Sequence, residues 1–351
     1  MKFGLHYLMS CADTQSPVQR YHDTVEQAVR GEALGFESVW PVEQHFNRNI
    51  SILPCPALLL AAIAARTQTL RLGTAIVQLP LNHPLRVAEE LATLDVLSGG
   101  RVECGVGRGS NPTHFAALGV PMAESRERMI EGLAMIRQAW TEERFSFRGR
   151  FFQADDLALA PRPVQQPHPP IRIAANSPET AEWAGRAGYP IFVAANVNPF
   201  PKLRELVPLY RRARKEAGHP DTGGDDVTML MPLYVGKNRC QIEHDVGPSI
   251  AQYRHAVASV SALALQKCTS EAERVKLQAL LDRLQRITYE TVNDVMGIFD
   301  TPEACVERLQ EVQEEFNPGR VICWFNFGGL VPHARVLGSM DLFAAKVLPY
   351  I

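Results

Sequence analysis

Four short stretches hold the residue types that could do chemistry. Glu43-Gln44-His45-Phe46 sets a carboxylate two residues from a histidine, a pair suited to holding or moving a proton. Gly107-Arg108-Gly109 places a guanidinium between glycines, which let an anion approach the backbone while the arginine grips phosphate oxygens bidentately. Asn176-Ser177-Pro178-Glu179-Thr180 reads as an N-cap, an N1 proline and a first helical turn, with free N–H groups and hydroxyls facing outward. Arg126, in Glu124-Ser125-Arg126-Glu127, opens another helix and could add a second positive charge. Beyond these four, Gly73-Thr74-Ala75 and Asn196 stand at further strand ends. Each has a plain structural explanation on its own: Arg108 as a surface ion pair, Ser177 as an ordinary cap, His45 as a histidine bonded at a strand end, Glu43 as a surface carboxylate. Only gathered at adjacent strand ends would they form an anion site beside a proton-handling group.

Other chemistries find little support. The chain has 351 residues with Lys+Arg 36 against Asp+Glu 38, a formal charge of −2, so no whole-chain basic field recruits nucleic acid or anionic lipid. The longest apolar run, residues 56–65, is too short to span a bilayer, and the N-terminus reads as a first strand rather than a signal peptide. Seven scattered cysteines, at 11, 55, 104, 240, 268, 305 and 323, form no C-x-x-C pair. They point to reduced thiols in the cytoplasm rather than disulfides or zinc. His6, His83 and His114 read as structural, since none has a partner at metal-ligand spacing, so no metal is expected. Cys104 sits mid-strand as inert packing, no G-x-S-x-G elbow is present, and Asp155-Asp156 would point to opposite faces.

The elements that must position these residues alternate. Short apolar runs at 3–9, 37–40, 71–77, 102–106, 171–174, 190–194, 227–235 and 321–325 read as strands buried on both faces. Helical patterns separate them. Ser16-Pro17 offers a cap for a helix whose apolar Val18, Tyr21, Val25 and Val29 recur at three- and four-residue spacing, ended by Gly35. A second runs over 86–97 to Ser98-Gly99-Gly100, and Met129, Leu133, Ile136 and Trp140 stripe a third. Eight strands with crossover helices predict a (β/α)8 TIM barrel forming a single domain over 1–351, with insertions near 145–170 and 239–297. The length, with no low-complexity linker, agrees with one enlarged barrel. A doubly wound sheet is the alternative, resting on Gly105-Val106-Gly107-Arg108-Gly109, but that spacing is G-x-G-x-G rather than G-x-G-x-x-G.

Taken together the motifs resemble one family. Ser38-Val39-Trp40-Pro41-Val42-Glu43-Gln44-His45-Phe46 is similar to the W-x-x-E-H-H-F segment of bacterial luciferase α subunits. In order there follow Leu72-Gly73-Thr74-Ala75, His83-Pro84-x-Arg86 and Leu94-Asp95-x-Leu97-Ser98-x-Gly100-Arg101. The glycine-arginine run, Ser125-Arg126 and Asn176-Ser177-x-x-Thr180-Ala181-Glu182-Trp183-Ala184 come next, and Thr301-Pro302-Glu303-x-Cys305 and Ser339-Met340-x-Leu342-Phe343 match the family's end. The likeness runs nearly end to end, weakest over 239–297, and as a set is specific to luciferase-like flavin monooxygenases. It implies a barrel that takes reduced FMN (FMNH2) from a separate NAD(P)H:flavin reductase. O2 would then oxygenate a small-molecule substrate through a flavin C4a-(hydro)peroxide.

By position, the resemblance implies that Arg108, Arg126, Ser177 and Thr180 contact the FMN phosphate and that Ala174, Ala175 and Asn176 lie along the ribityl chain. The Thr74-Ala75 step corresponds to the place where the family carries a non-prolyl cis peptide against the flavin ring. Glu43, Gln44 and His45 would border the ring and the oxygen-reaction pocket. Relatives are dimers through helices such as 56–65 and 86–97, which implies a homodimer. Two departures stand out. Gln44 occupies a histidine position of the luciferases and cannot relay a proton near neutral pH, and Gly107 replaces a reactive cysteine. Both argue against aldehyde-dependent light emission and for a monooxygenase on another substrate. Two alternatives are an F420-dependent oxidoreductase and a non-catalytic flavin-binding protein.

Overall fold

The near-continuous apolar runs become the staves of a closed parallel barrel. The protein, a computed structural model, is described over residues 1–267 and 271–351. Its eight barrel strands are β1 (Lys2–Tyr7), β2 (Ser38–Pro41), β3 (Arg71–Gly73), β4 (Val102–Gly107), β5 (Ile171–Ala174), β6 (Ile191–Ala194), β7 (Val227–Val235) and β8 (Arg320–Trp324). Each pairs in parallel with the next, and β8 pairs with β1, which closes the ring. All eight sequence-expected strands are present, and the closed ring rules out the doubly wound sheet. The barrel interior is layered. Near the N-terminal ends, buried Glu103 meets Arg71, Arg172 and Arg320. Above that layer Trp40 packs edge-on against Phe192, ring centroids 5.1 Å apart.

The glycine run owes its composition to packing, not to a dinucleotide. A Cβ at Gly105 would fall 1.8 Å from the Thr74 carbonyl oxygen, and one at Gly107 2.2 Å from Ile76 Cδ1. Gly109 has φ +71, the left-handed region.

Cap signals set the helix starts. The Ser16 side chain accepts the Gln19 N–H at the head of helix Pro17–Ala33, and Gly99 closes helix Pro84–Ser98 with φ +67. The first helix departs from its apolar pattern. Val18 is exposed, and the buried face is Arg20, Thr24, Gln27, Ala28 and Gly31. Gly31 lets the helix approach the barrel there: a Cβ at this position would come within 2.5 Å of Leu5 Cδ1. Met129, Leu133, Ile136 and Trp140 are all buried on helix Ser125–Thr141, as their spacing implies.

The two excursions differ in kind. Residues 145–170, expected as an insertion, include an antiparallel hairpin, Phe145–Arg148 with Gln153–Leu157. Residues 239–297 hold helices Arg239–Lys267, Glu271–Gln285 and Tyr289–Val295. Ile298–Asp300 then adds a strand beside the end of β7. Among the described residues no helix is long and apolar enough to cross a membrane. Six cysteines are free thiols, and Cys268 lies outside the described residues.

Candidate functional site

The C-terminal strand ends surround a cavity of about 230 Å³ at the barrel mouth. Glu43, Gln44, Ala75, Ala174 and Asn176 line it, as does Asn196. Parallel strands bring them together: each residue lies just beyond, or at the end of, a strand pointing the same way.

Glu43 is the best-held polar group there. It is 3% exposed, and its carboxylate accepts from His45 Nε2 at 2.8 Å, from the Gln78 backbone N–H at 2.9 Å and from Asn82 Nδ2 at 3.1 Å. Its backbone carbonyl accepts from Gln78 Nε2 at 2.8 Å. Gln78 Oε1 in turn accepts from His114 Nδ1 at 3.3 Å, and Asn111 Nδ2 donates to His114 Nε2 at 3.0 Å. These partners fix the tautomer with the proton on His114 Nδ1. Burial, and then the neighbouring His45, push the His114 pKa down, so this imidazole stays neutral. The rings of His45 and His114 meet edge to face, centroids 5.2 Å apart. His45 itself does not line the cavity; it stands behind Glu43 at the rim.

Sequence reading missed Gln78 and Asn82; His114, read as structural, is the buried ring that ties Gln78 to Asn111. Only the close approach of Gly109 to Gln78, where a Cβ would lie 2.6 Å from Oε1, links them to the glycine run. No spacing rule announces that contact.

Thr74 is turned away from the mouth. Its hydroxyl donates to the Gly105 carbonyl at 2.8 Å and accepts the Gly105 N–H at 3.0 Å. The non-prolyl cis bond is Ala75–Ile76, one step beyond the expected Thr74–Ala75 position. The Ala75 N–H still donates to the Pro41 carbonyl at 3.0 Å, so the ladder runs through residue 75 and the chain turns only after it. Ala175 is fully buried and does not line the cavity.

Arg108 and the Ser177–Thr180 turn follow the paired strands β4 and β5, and Arg126 opens helix Ser125–Thr141. Arg108 is exposed and has no hydrogen bond or ion pair to another described residue. Ser177 caps helix Pro178–Arg186, its hydroxyl 3.1 Å from that of Thr180. Arg126 reaches the same turn, Nη2 donating to the Glu179 carbonyl at 3.4 Å with the Glu179 carboxylate at 3.7 Å. Arg126, Ser177 and Thr180 are thus brought together, and Arg108 stands free on the adjacent strand end.

Away from the mouth, Asp23, Glu26 and His333 hold ligand-type atoms within 4.8 Å of one another. His333 Nε2 lies 3.3 Å from Glu26, and Gln27 Nε2 is 3.1 Å from His333 Nδ1, so side-chain contacts already account for the cluster.

Comparison with known proteins gives the family. The sequence profile of the luciferase-like monooxygenases matches residues 1–316. The alkanal monooxygenase alpha chain of the Kryptophanaron alfredi symbiont is 26% identical over 100% of this chain and 98% of its own. The oxygenase component of the flavin-dependent trigonelline monooxygenase of Acinetobacter baylyi is 32% identical over 54% of this chain and 52% of its own. Among solved structures, the monooxygenase RslO1 of Streptomyces bottropensis superposes with a TM-score of 0.86 at 29% identity, covering 100% of this chain and 99% of that one. The oxygenating constituent of 3,6-diketocamphane monooxygenase from Pseudomonas putida, in complex with FMN, shares the fold at TM-score 0.79 and 20% identity, with 100% and 99% covered. An F420-dependent secondary alcohol dehydrogenase shares it at 0.75 and 18%, again with 100% and 99% covered.

Proposed function

The chain belongs to the luciferase-like monooxygenase family, and from that premise we propose that it is the oxygenase half of a two-component system. It takes FMNH2 from a separate NAD(P)H:flavin reductase and uses O2 to oxygenate an organic small molecule. The observation that carries this reading is the free guanidinium of Arg108 at the end of β4, the strand paired with the one that leads into the Arg126–Ser177–Thr180 turn, with Gly109 and Asn176 lining the mouth between. The name of the Acinetobacter relative, an oxygenase component, supports the separate reductase.

The residues present fit FMN. A free cation, two hydroxyls and a helix N-terminus suit a phosphate dianion. Ala75, Ile76, Ala174 and Phe192 line a slot that suits a flat, apolar ring. When bound, reduced flavin supplies the electron pair that activates O2. The chain's own work is to bind, orient and keep water out. Arg108, Arg126, Ser177 and Thr180 hold the phosphate, and Ala174 and Asn176 flank the chain leading from it. Ala175 supports that segment from within the core, and Thr74 fixes the strand end from which Ala75 faces the ring. Glu43 and His45 hold the proton at the rim, and Gln44 offers hydrogen bonds without titrating.

Free thiols support a reducing, cytoplasmic setting. A groove of about 540 Å³ between helices Pro56–Ala64 and Pro84–Ser98, with Leu58 74% and Leu97 69% exposed, supports a homodimer packed there. The whole chain is read as one barrel domain with two excursions.

The test is an anaerobic titration with FMNH2, followed by an oxygen pulse. Tight binding, and flavin reoxidation slower than in free solution, are expected. Absent FMNH2 binding, with oxygen-independent hydride transfer from reduced F420, would favour the F420 reading instead. Stable flavin with no substrate-dependent oxygen use would mark a binding protein.

A further inference from the structure

The turn that carries Arg108 is tied to Glu43 by a chain of hydrogen bonds that can run in one direction only. The Glu43 carbonyl can only accept, so Gln78 Nε2 donates to it at 2.8 Å and Gln78 Oε1 is left to face His114. That oxygen accepts, so His114 Nδ1 carries the proton across 3.3 Å. Nε2 is then bare and accepts from Asn111 Nδ2 at 3.0 Å. Asn111 Oδ1 is left for the Thr113 N–H, also 3.0 Å away. Each orientation follows from the one before it. Only a neutral imidazole completes the series, and burial, pushing the His114 pKa down, keeps it neutral.

The chain meets the turn at two points. Asn111 ends it as the N-cap of helix Pro112–Ala117. Gly109 packs so close to Gln78 that a Cβ there would lie 2.6 Å from Oε1, the oxygen that His114 holds. Arg108 stands between β4 and these two points. Its side chain is exposed and bonds to no other described residue, so the aim of its guanidinium depends on the backbone of the turn. His114 itself is 1% exposed and does not line the mouth. Its ring meets those of His45 and Phe46 edge to face, at 5.2 and 6.2 Å.

We propose that His114 is a positioning residue for the phosphate end of the flavin site. By clamping Gln78 and Asn111 it holds the 108–111 turn in the shape that aims Arg108 at the phosphate. A ring present only for packing would need neither nitrogen, and here both are used. This rests on the FMN reading above and adds a requirement to it: phosphate recognition depends on a side chain outside the mouth.

The experiment is an anaerobic titration of the full-length protein with reduced FMN and with reduced riboflavin, which lacks the phosphate. Wild type should prefer FMN. If it binds riboflavin equally well, the phosphate assignment fails and this proposal with it. Given that preference, His114→Phe, which keeps a ring and loses both hydrogen bonds, should weaken FMN about five- to tenfold. Riboflavin affinity should not change. The loss should vanish on an Arg108→Ala background, because an absent guanidinium cannot be misaimed. His114→Gln, with one donor and one acceptor, should recover part of it. Asn111→Ser keeps an N-cap but is too short to reach His114, and should reproduce the loss if His114→Phe does not fold. Imidazole 15N spectra at neutral pH should show the Nδ1–H tautomer. Unchanged FMN affinity, equal losses for FMN and riboflavin, additive losses in the double variant, or an Nε2–H tautomer would overturn the proposal.

Discussion

His45 Nε2 donates to Glu43 Oε1 at 2.8 Å, joining an imidazole outside the cavity lining to a buried carboxylate within it. The pair comes from one four-residue segment, yet what makes it rigid comes from Gln78 and Asn82, more than thirty residues away. Glu43 is therefore both a proton-handling group and a structural acceptor.

Replacing Glu43 by alanine strands the Gln78 N–H and leaves the Asn82 amide only the Gln78 carbonyl. We expect about 1–3 kcal/mol of lost stability, seen as a lower urea midpoint, together with loss of turnover. Glu43→Gln should recover most of the stability and little of the turnover.

Arg108→Ala should leave the melting temperature unchanged, because the side chain is exposed and makes no internal bond. Its FMNH2 affinity should fall by ~1.5–3 kcal/mol, the range for hydrogen bonds to charged groups. Anaerobic fluorescence titration reads it directly. An affinity equal to wild type would remove Arg108 from the phosphate site.

The Glu103 cluster makes acid stability predictable. Burial alone would raise this carboxyl, but Arg320 and Arg172, with Arg71, hold it down at about 2 against an ordinary 4.5. A folded pKa below the unfolded one means the stabilisation is full above about 4.5 and is lost as pH falls towards about 2. Urea midpoints from pH 7 to pH 2.5 should show the decline beginning near 4.5. Glu103→Gln leaves three guanidinium groups without their counter-charge and should cost about 3–5 kcal/mol at neutral pH.

The two inner glycines should respond differently. Gly105→Ala drives a methyl into the Thr74 backbone carbonyl, which has no room to yield, so loss of soluble folded protein is expected. Gly107→Ala meets the end of the Ile76 side chain, which can rotate, and about 1–3 kcal/mol of overpacking is expected. Expression level and thermal melts of the two variants check the order.

Leu58→Glu tests the helix groove. A charge on that exposed apolar position should shift sedimentation from dimer to monomer without altering the fold by circular dichroism. A wild-type monomer at the same concentration would refute the homodimer.

Much of the site was legible because its elements are spelled by neighbours in the chain. Ser177 and Pro178 announce a helix start, and Arg108 between glycines marks an anion-accessible turn. What stayed hidden was the direction and company of individual side chains. Thr74 looked like a mouth residue from its place at a strand end, but its hydroxyl is consumed by Gly105 one strand over. Val18 looked like a core position from its spacing, but the face that meets the barrel is Arg20, Thr24, Gln27, Ala28 and Gly31.

The sequence by itself determined the alternation of strand and helix, the helix ends and the family, because apolar periodicity and capping act over a few residues. Only the tertiary structure decided that Glu43 is gripped by Gln78 and Asn82, and that His114 lies against His45. It alone set Glu103 against Arg320, 217 residues on, and the cis bond after Ala75. Those relationships depend on barrel closure and strand register, which bring distant residues to one level, and no local spacing encodes where two separate strands come into line.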